Sequence, residues 1–557
     1  MKKIYNIIAA LLIPTLGGCS LDINNDPYAV TTLDISQLLT ATEYEVSATF
    51  AEGHFLNANF SAYVHHTHSR EIDNYSLIST YSTLTNTWSQ AYRYAIKNCD
   101  ALISNGDANG DAVYAGIGRV LRAHVYMAMT DLWGDIPYSE ANTVGIETPK
   151  TDSSESIYND LLAGLNKAIE DFKNKEAANP NVPASNDLFY GGDVDKWIKA
   201  ANTLKLKLLV QSRLAQDKVT GWKSELTALL AENNFIGDGE DLQFPHSTTK
   251  APMDERKTGF VDEYEGGQKS VFISPWLYET MAGKAYNFKA NPLRGIRDPR
   301  TNYYWYNQCT ADGDAENRTD YRDGAFISII LGSNSGLSSL TQESKMTTLG
   351  IYPVGGKYDD GKGGKIGASS GSGVAPDKIL QAYSVPFMKA ELVLAGETSG
   401  DAATLLKEGI LSSIYHVNAV TSKADAAAPL IAASTADEFA TKVVEKFNAA
   451  TDNAKKLEIV MTEKWIANFF NPVEAYNDIR RTGYPVLFKG DENNMAWTPY
   501  KQTVAAEEGL TSYNLVKILD YPRIMWYPNN ETTTTSETTK VTTTMGEHPI
   551  WPNTNAP

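Results

Sequence analysis

The sequence predicts a mainly α-helical fold, in which antiparallel helix pairs of a helical-repeat kind flank a loop-rich insert at about residues 235–375. Three observations carry this prediction. Segments on both sides of the insert place apolar residues at helical spacing. Each such segment has one wide apolar face, which suits helix-on-helix packing rather than a parallel sheet. Inside the insert the spacing is lost, and Gly, Pro, Asp and aromatic residues dominate.

The elements follow in order. Residues 87–104 (TWSQAYRYAIKNCDALIS) put Trp88, Tyr92, Ala95, Cys99 and Leu102 on one face. Residues 113–133 repeat the pattern through Ile117, Leu121, Val125, Ala128 and Leu132, until Gly134 and Pro137 stop the helix. Residues 153–173 open on Ser153, Ser154 and Glu155, a capping sequence, and Asp193 or Asp195 can cap the helix KWIKAANTLKLKLLVQSRLA. After the insert, helices are expected at 385–397, 401–417, 434–449 and 451–470. Eight glycines between 355 and 373 and the Thr-rich stretch 531–545 read as loop. Because helices stand on both sides of the insert, residues 19–557 read as one large domain.

Composition narrows the function classes. The 557 residues carry 49 Lys and Arg against 67 Asp and Glu, a formal net charge of −18. With 42% hydrophobic and 21% charged residues the chain is neither disordered nor collagen-like nor a multi-spanning membrane protein. No basic cluster exists to neutralise phosphates, so nucleic acid is not a partner. Charge does not hold the chain on anionic lipid either.

The first twenty residues, MKKIYNIIAALLIPTLGGCS, give the destination. Lys2 and Lys3 precede an apolar stretch, Ile7 to Leu16, that is broken by Pro14 and too short to span a bilayer. Leu16-Gly17-Gly18-Cys19 resembles a bacterial lipobox, so residues 1–18 are read as a lipoprotein signal peptide and Cys19 as the acylated new N-terminus. An ordinary signal peptide cut near Gly18 is the competing reading. Asp22, Asn24, Asn25 and Asp26 follow, a polar start resembling the surface-export signal of Bacteroidetes lipoproteins. The anchor would be lipid alone. Of the two remaining cysteines, Cys99 reads as a buried thiol, and a single disulfide to Cys309 is left open.

Several motifs bear on chemistry. Gly356-x-x-x-x-Gly361-Lys362 nearly spells a phosphate loop, but Gly363 stands where Ser or Thr is needed. His65 and His68 would share a helix face that a metal could use, yet no HExxH frame exists and polar or partly buried imidazoles are the simpler reading. His124 reads as a core histidine. Asp312, Asp314, Glu316 and Asp320, and likewise Asp107, Asn109 and Asp111, could offer oxygens to calcium, and turn chemistry explains both groups as well. No other cofactor is expected. Carboxylate pairs such as Glu474 and Asp478 do not stand out from a solvated face, and no GxSxG elbow exists.

For a neutral oligosaccharide, affinity must come from exposed rings and fixed polar groups. Tyr303-Tyr304-Trp305-Tyr306 is the densest aromatic cluster, readable as a stacking platform or as a strand with buried rings. Tyr75 and Tyr81 add rings in a polar stretch. Trp305 and Tyr75 are expected to stack, with Tyr303 beside them and Asn74 and Asn302 as polar contacts.

Six spaced motifs resemble one family. Gly118–Ala123 leading to Asp131-Leu132-Trp133-Gly134-Asp135-Ile136-Pro137-Tyr138 resembles an Arg-Ala helix ending in a (F/W)GD(I/V)PY turn. Asp195–Leu206, Asp298-Pro299-Arg300, Pro386–Leu392, Asn477–Pro485 and Arg523–Glu531 resemble, in order, its further motifs. The family is that of the SusD/RagB-like outer-membrane nutrient-binding lipoproteins of Bacteroidetes. The resemblance implies tetratricopeptide-like helix pairs forming a right-handed superhelical scaffold. It implies a cell-surface binder, not an enzyme, that delivers oligosaccharides to a SusC-like TonB-dependent outer-membrane barrel. Peptides or other nutrients are the alternative cargo. An α-helical glycoside hydrolase or lyase, and a helical scaffold for protein partners, are the competing classes.

Overall fold

The computed structural model describes residues 34–50, 56–68, 81–266, 269, 271–285, 290–313, 321–330, 343–487, 524–525 and 527–528. The expected signal peptide, Cys19 and the Thr-rich stretch lie outside them.

Helices α1 (Ile35–Phe50), α2 (Leu56–Tyr63) and α3 (Tyr81–Gln90) come first; a π-helical segment, Ala91–Ile96, then runs into α4 (Lys97–Asn109). The expected helix at 87–104 is therefore observed with an inserted π turn. Helix α5 (Ala112–Trp133) is buried almost all round, between α4 and α6 (Ser154–Lys173). That close approach requires small residues. A Cβ on Gly116 would stand 2.7 Å from the Phe172 ring, and one on Gly118 would stand 2.9 Å from Ile103. Gly134, at φ 78°, ends α5, and Trp133 is fully buried. Ser153 caps α6 by accepting from the Ser156 amide, and Asp193 caps α7 (Val194–Gln211) by accepting from the Lys196 amide.

After α8 (Trp222–Glu232) the chain enters the insert, built from short pieces including α9 (Pro275–Met281). Regular helices resume with α10 (Ser384–Leu394), α11 (Ala402–Ala424), α12 (Ala433–Ala449), α13 (Asn453–Ala467) and α14 (Pro472–Thr482). Consecutive helices pack on one another in each half, and α10 against α7 joins the halves. The described strands form only two-stranded antiparallel ladders: β1 (Thr67–His68) with β5 (Phe272–Ile273), β2 (Ile136–Pro137) with β3 (Thr151–Asp152), β4 (Leu242–Phe244) with β10 (Asp377–Leu380), β6 (Trp305–Tyr306) with β9 (Thr348–Leu349), and β7 (Tyr321–Asp323) with β8 (Phe326–Ser328). The fold is mainly α, as expected. One continuous apolar cluster takes in both helical halves and the insert's Trp276, Tyr304 and Tyr352.

The motif segments meet in a buried polar seam. The Asp131 carboxylate accepts from Tyr158 and from Asn477 Nδ2 at 2.9 Å, and its backbone carbonyl accepts from Arg480 Nη2 at 2.7 Å. Arg481 pairs with Glu391 and with Asp478 at 2.9 Å, and Lys464 reaches Asp478 at 2.8 Å. Arg300 is fully buried between Asp298 at 2.5 Å and Glu463 at 2.7 Å. Burial raises the carboxyl of Asp131 to about 7 despite its neighbours. Burial also works to raise Glu391, but Arg481 and Arg213 prevail and hold it down at about 2. Glu474, paired with Lys207, and Asp478 belong to this seam and not to a solvated face.

Three other sequence readings resolve here. Cys99 and Cys309 are buried, Cys99 in the main core and Cys309 in a small cluster with Phe272, Ile327, Ile329 and Met346, and no disulfide joins them. His65, His66 and His68 do not share a helix face, because α2 ends at Tyr63. All three are buried; His68 Nε2 lies 3.3 Å from His65 Nδ1, and His66 Nε2 lies 2.9 Å from the Trp465 carbonyl. The Gly356–Lys362 loop cradles no phosphate: Tyr264 crowds Gly356, and Lys362 pairs with Asp360 at 2.7 Å.

Candidate functional site

Two clefts compete for the role of binding site. The first, of about 610 Å³, lies between α4, α5 and α6. Its charges are spent on one another. Arg122 donates to Asp100 at 2.7 Å and to the Tyr138 hydroxyl at 2.6 Å, and its guanidinium lies over the Tyr126 and Tyr138 rings at 4.7 and 4.5 Å. Both rings are buried, so neither offers a free face.

The second cleft, of about 830 Å³, is the better candidate. One wall is α1. Asp34 starts this helix by accepting from the Ser36 amide at 2.8 Å, and Ile35, Leu38, Leu39, Thr42 and Val46 face inward. Gln37, Thr40, Ala41, Tyr44 and Ala48 then fall on the cleft side at helical spacing. The opposite wall is the segment from Phe244 to Thr258. The β4–β10 register sets Phe244 opposite Asp377 and so fixes the floor. His246 Nε2 lies 2.8 Å from Asp377, its Nδ1 lies 2.9 Å from the Glu255 carbonyl, and Lys257 reaches Asp377 at 2.6 Å. Burial opposes charge on Asp377, but Lys257 and His246 outweigh it and hold the carboxyl well below the usual carboxylate range. The floor is thus a fixed triad of Asp377, Lys257 and His246.

Above it stands Tyr44, 49% exposed, with its ring edge-to-face on Phe244 at 5.9 Å. Met253, 63% exposed, lines the opposite side. A tyrosine steadied by a second ring and open on its other side can receive the C–H face of a sugar. Around it Gln37, Glu45, Ser247 and Glu255 present hydrogen-bonding groups.

The residues expected from sequence are placed elsewhere. Trp305 is 3% exposed, paired with Leu349 across β6–β9, and packed on Tyr278 and Phe326 at 5.8 and 5.9 Å. Tyr303 is 4% exposed and donates to the Pro429 carbonyl at 2.8 Å. These two rings are corrected from exposed to core. The run 301–306 begins as a helical turn and continues as a strand, and both parts turn their rings inward. Asn302 is half-buried and donates to the Asp359 carbonyl at 3.0 Å. Asn74 and Tyr75 lie outside the described residues. Of the residues weighed for calcium, Asp111 accepts from Asn181, Asp107 pairs with Arg119, and Asp314, Glu316 and Asp320 lie outside the described residues. Among the described residues, no group of three or more His, Cys, Asp or Glu is placed to hold a metal. The reading from sequence missed Tyr44, Phe244 and His246, which stand in no run or motif.

Fold and cleft together define a helical-repeat binding protein. A family model described as starch-binding and associating with the outer membrane, SusD-like, matches residues 27–503. The chain belongs to the SusD-like family. Among similar solved structures is a chitin-binding protein, 20% identical, with a TM-score of 0.64 over 90% of this chain and 94% of that one. A SusD-like protein of Bacteroidetes AC2a is 19% identical, with a TM-score of 0.63 over 90% and 95%. A SusD/RagB family protein from Bacteroides thetaiotaomicron is 20% identical, with a TM-score of 0.62 over 90% and 94%. No curated protein matches the sequence. No helix among the described residues is long and apolar enough to cross a membrane.

Proposed function

We propose that this chain is a lipid-anchored cell-surface protein that captures oligosaccharides and passes them to a TonB-dependent outer-membrane barrel. The supporting observation is membership of a starch-binding, outer-membrane-associated family in a helical fold that carries a cleft with a fixed, half-exposed tyrosine. The chain binds its ligand without chemical change. Tyr44 supplies the stacking face, Phe244 holds its ring, and the neighbouring amide, hydroxyl and carboxylate groups select the hydroxyl pattern. Tyr75 and Asn74 remain assigned as further ligand contacts. Cys19 carries the acyl chains.

The test has two arms. Titration of the full mature chain with neutral oligosaccharides should give saturable heat that Tyr44→Ala abolishes or weakens. Purification from outer membranes should bring down a large barrel with wild type. In parallel, Cys19→Ala should take up no labelled palmitate and leave the outer-membrane fraction. A mutant that still partitions as wild type refutes the anchor.

A further inference from the structure

We propose that the Tyr44 cleft sorts saccharides by charge, taking neutral and amino-bearing chains and turning away those that carry carboxylates. This rests on the reading of the cleft as a saccharide site. Four carboxylates line it, Glu45, Asp254, Glu255 and Asp377, against one guanidinium, that of Arg256. That guanidinium is already held by Asp254 at 2.6 Å and by Glu265. Lys257, behind the floor, is spent on Asp377, and His246 faces the same carboxylate. Among the described residues, no lining cation is left over to receive an acidic sugar.

Glu45 and Glu255 differ from the other two. Their partners are neutral: the Gln90 amide for Glu45, and the Ser247 hydroxyl at 2.6 Å for Glu255. Neither carboxylate forms an ion pair among the described residues. Each therefore keeps acceptor positions free beside the Tyr44 ring. A ligand ammonium gains a charge-assisted bond there. A ligand carboxylate meets like charge in a partly desolvated cleft, and such juxtaposition rejects wrong partners more strongly than a surface pair attracts right ones.

The experiment is calorimetry on the mature chain with β-1,4-linked hexamers of glucose, glucosamine and glucuronate, at low salt and about pH 6 to keep the amines protonated. The glucosamine hexamer should bind about 3- to 5-fold tighter than the glucose hexamer, and the glucuronate hexamer at least about tenfold weaker. The spread should shrink in about 0.5 M salt. It should shrink also in Glu45→Gln/Glu255→Gln, or in Glu255→Gln alone should the double variant fold poorly. A glucuronate hexamer that binds as tightly as the glucose hexamer overturns charge sorting and leaves the saccharide reading standing. So does a spread that neither substitution narrows. Silence from all three hexamers, or heats indifferent to Tyr44→Ala, removes the saccharide reading and charge sorting with it.

Discussion

The polar seam beneath α14 and the cleft beside α1 both carry many charged groups, but they use them in opposite ways. In the seam Arg300 and Arg481 are buried and held by carboxylates from distant segments, Glu463 and Glu391 among them. The desolvation of each charge is offset only because its partner is in place. In the cleft wall Glu45 and Glu255 have no cationic partner among the described residues, and Tyr44 is half open. On the proposed function, the contrast separates what fixes the fold from what meets a ligand. Seam residues are specified by one another, across as much as 349 residues for Asp131 and Arg480. On the proposed reading, the rim of the cleft is left to the ligand.

The sharpest way to break this comparison is to remove one seam cation. Arg481→Met should cost about 3 kcal/mol in urea unfolding, because Glu391 and Asp478 each lose a buried ionic partner and keep only Arg213 and Lys464. Trp133→Ala, deleting a fully buried ring, should cost a similar amount, roughly 3–5 kcal/mol. A loss below about 1 kcal/mol for Arg481→Met would mean that the seam is wetter than its burial implies. Tyr44→Ala should do the reverse. Stability should change by no more than about 0.5 kcal/mol, while saccharide binding weakens by about 1–3 kcal/mol, roughly 5- to 150-fold, on the analogy of base–aromatic stacking.

The smallest effect is in pH. Burial lowers the imidazoles of His66 to about 3, His68 to about 4 and His124 to about 3, and lowers His65 as well. The unfolded chain therefore takes up protons below about pH 6.5 that the folded chain refuses, and stability falls as pH drops. Asp131 and Glu463, both raised by burial to about 7, act the other way over the range from about 4 to 7. Burial raises Glu43, Asp100 and Asp359 as well, and they act with those two carboxyls, so each imidazole's share of the decline is read by removing it. His124→Leu should flatten that decline by up to about 1.4 kcal/mol per pH unit, with no effect on the cleft. A slope unchanged in the variant would show that His124 takes no part in it.

The same contrast explains what could be read from sequence. Helices with an apolar stripe were legible nearly to the residue: 113–133 is observed as Ala112–Trp133, and 434–449 as Ala433–Ala449. The caps Ser153 and Asp193 were legible because their side chains do one local job. Helix α14 was legible only as a family motif, since it buries Asn477, Asp478, Arg480 and Arg481, and periodicity takes such residues for a solvated face. Helix α1 escaped notice because Thr42 and Glu43 interrupt its inward face. With α1 unread, Tyr44 had no place. Trp305 drew attention by its neighbours, and ring density alone does not say which way a ring points.

Met525 and Tyr527 close onto the turn that ends α5. The Met525 amide donates to the Leu132 carbonyl at 2.8 Å, and Tyr527 donates to the Asp135 carbonyl and packs on Trp88, which in turn touches Trp133. These partners are 392 residues apart for Tyr527 and Asp135. A contact of such sequence separation carries a loop-closure cost, so it forms after the more local helix pairs have packed. Until it forms, two tryptophans lack their lid. A chain that ends before Ile524 should stay at the stage before closure, recognisable by red-shifted tryptophan emission.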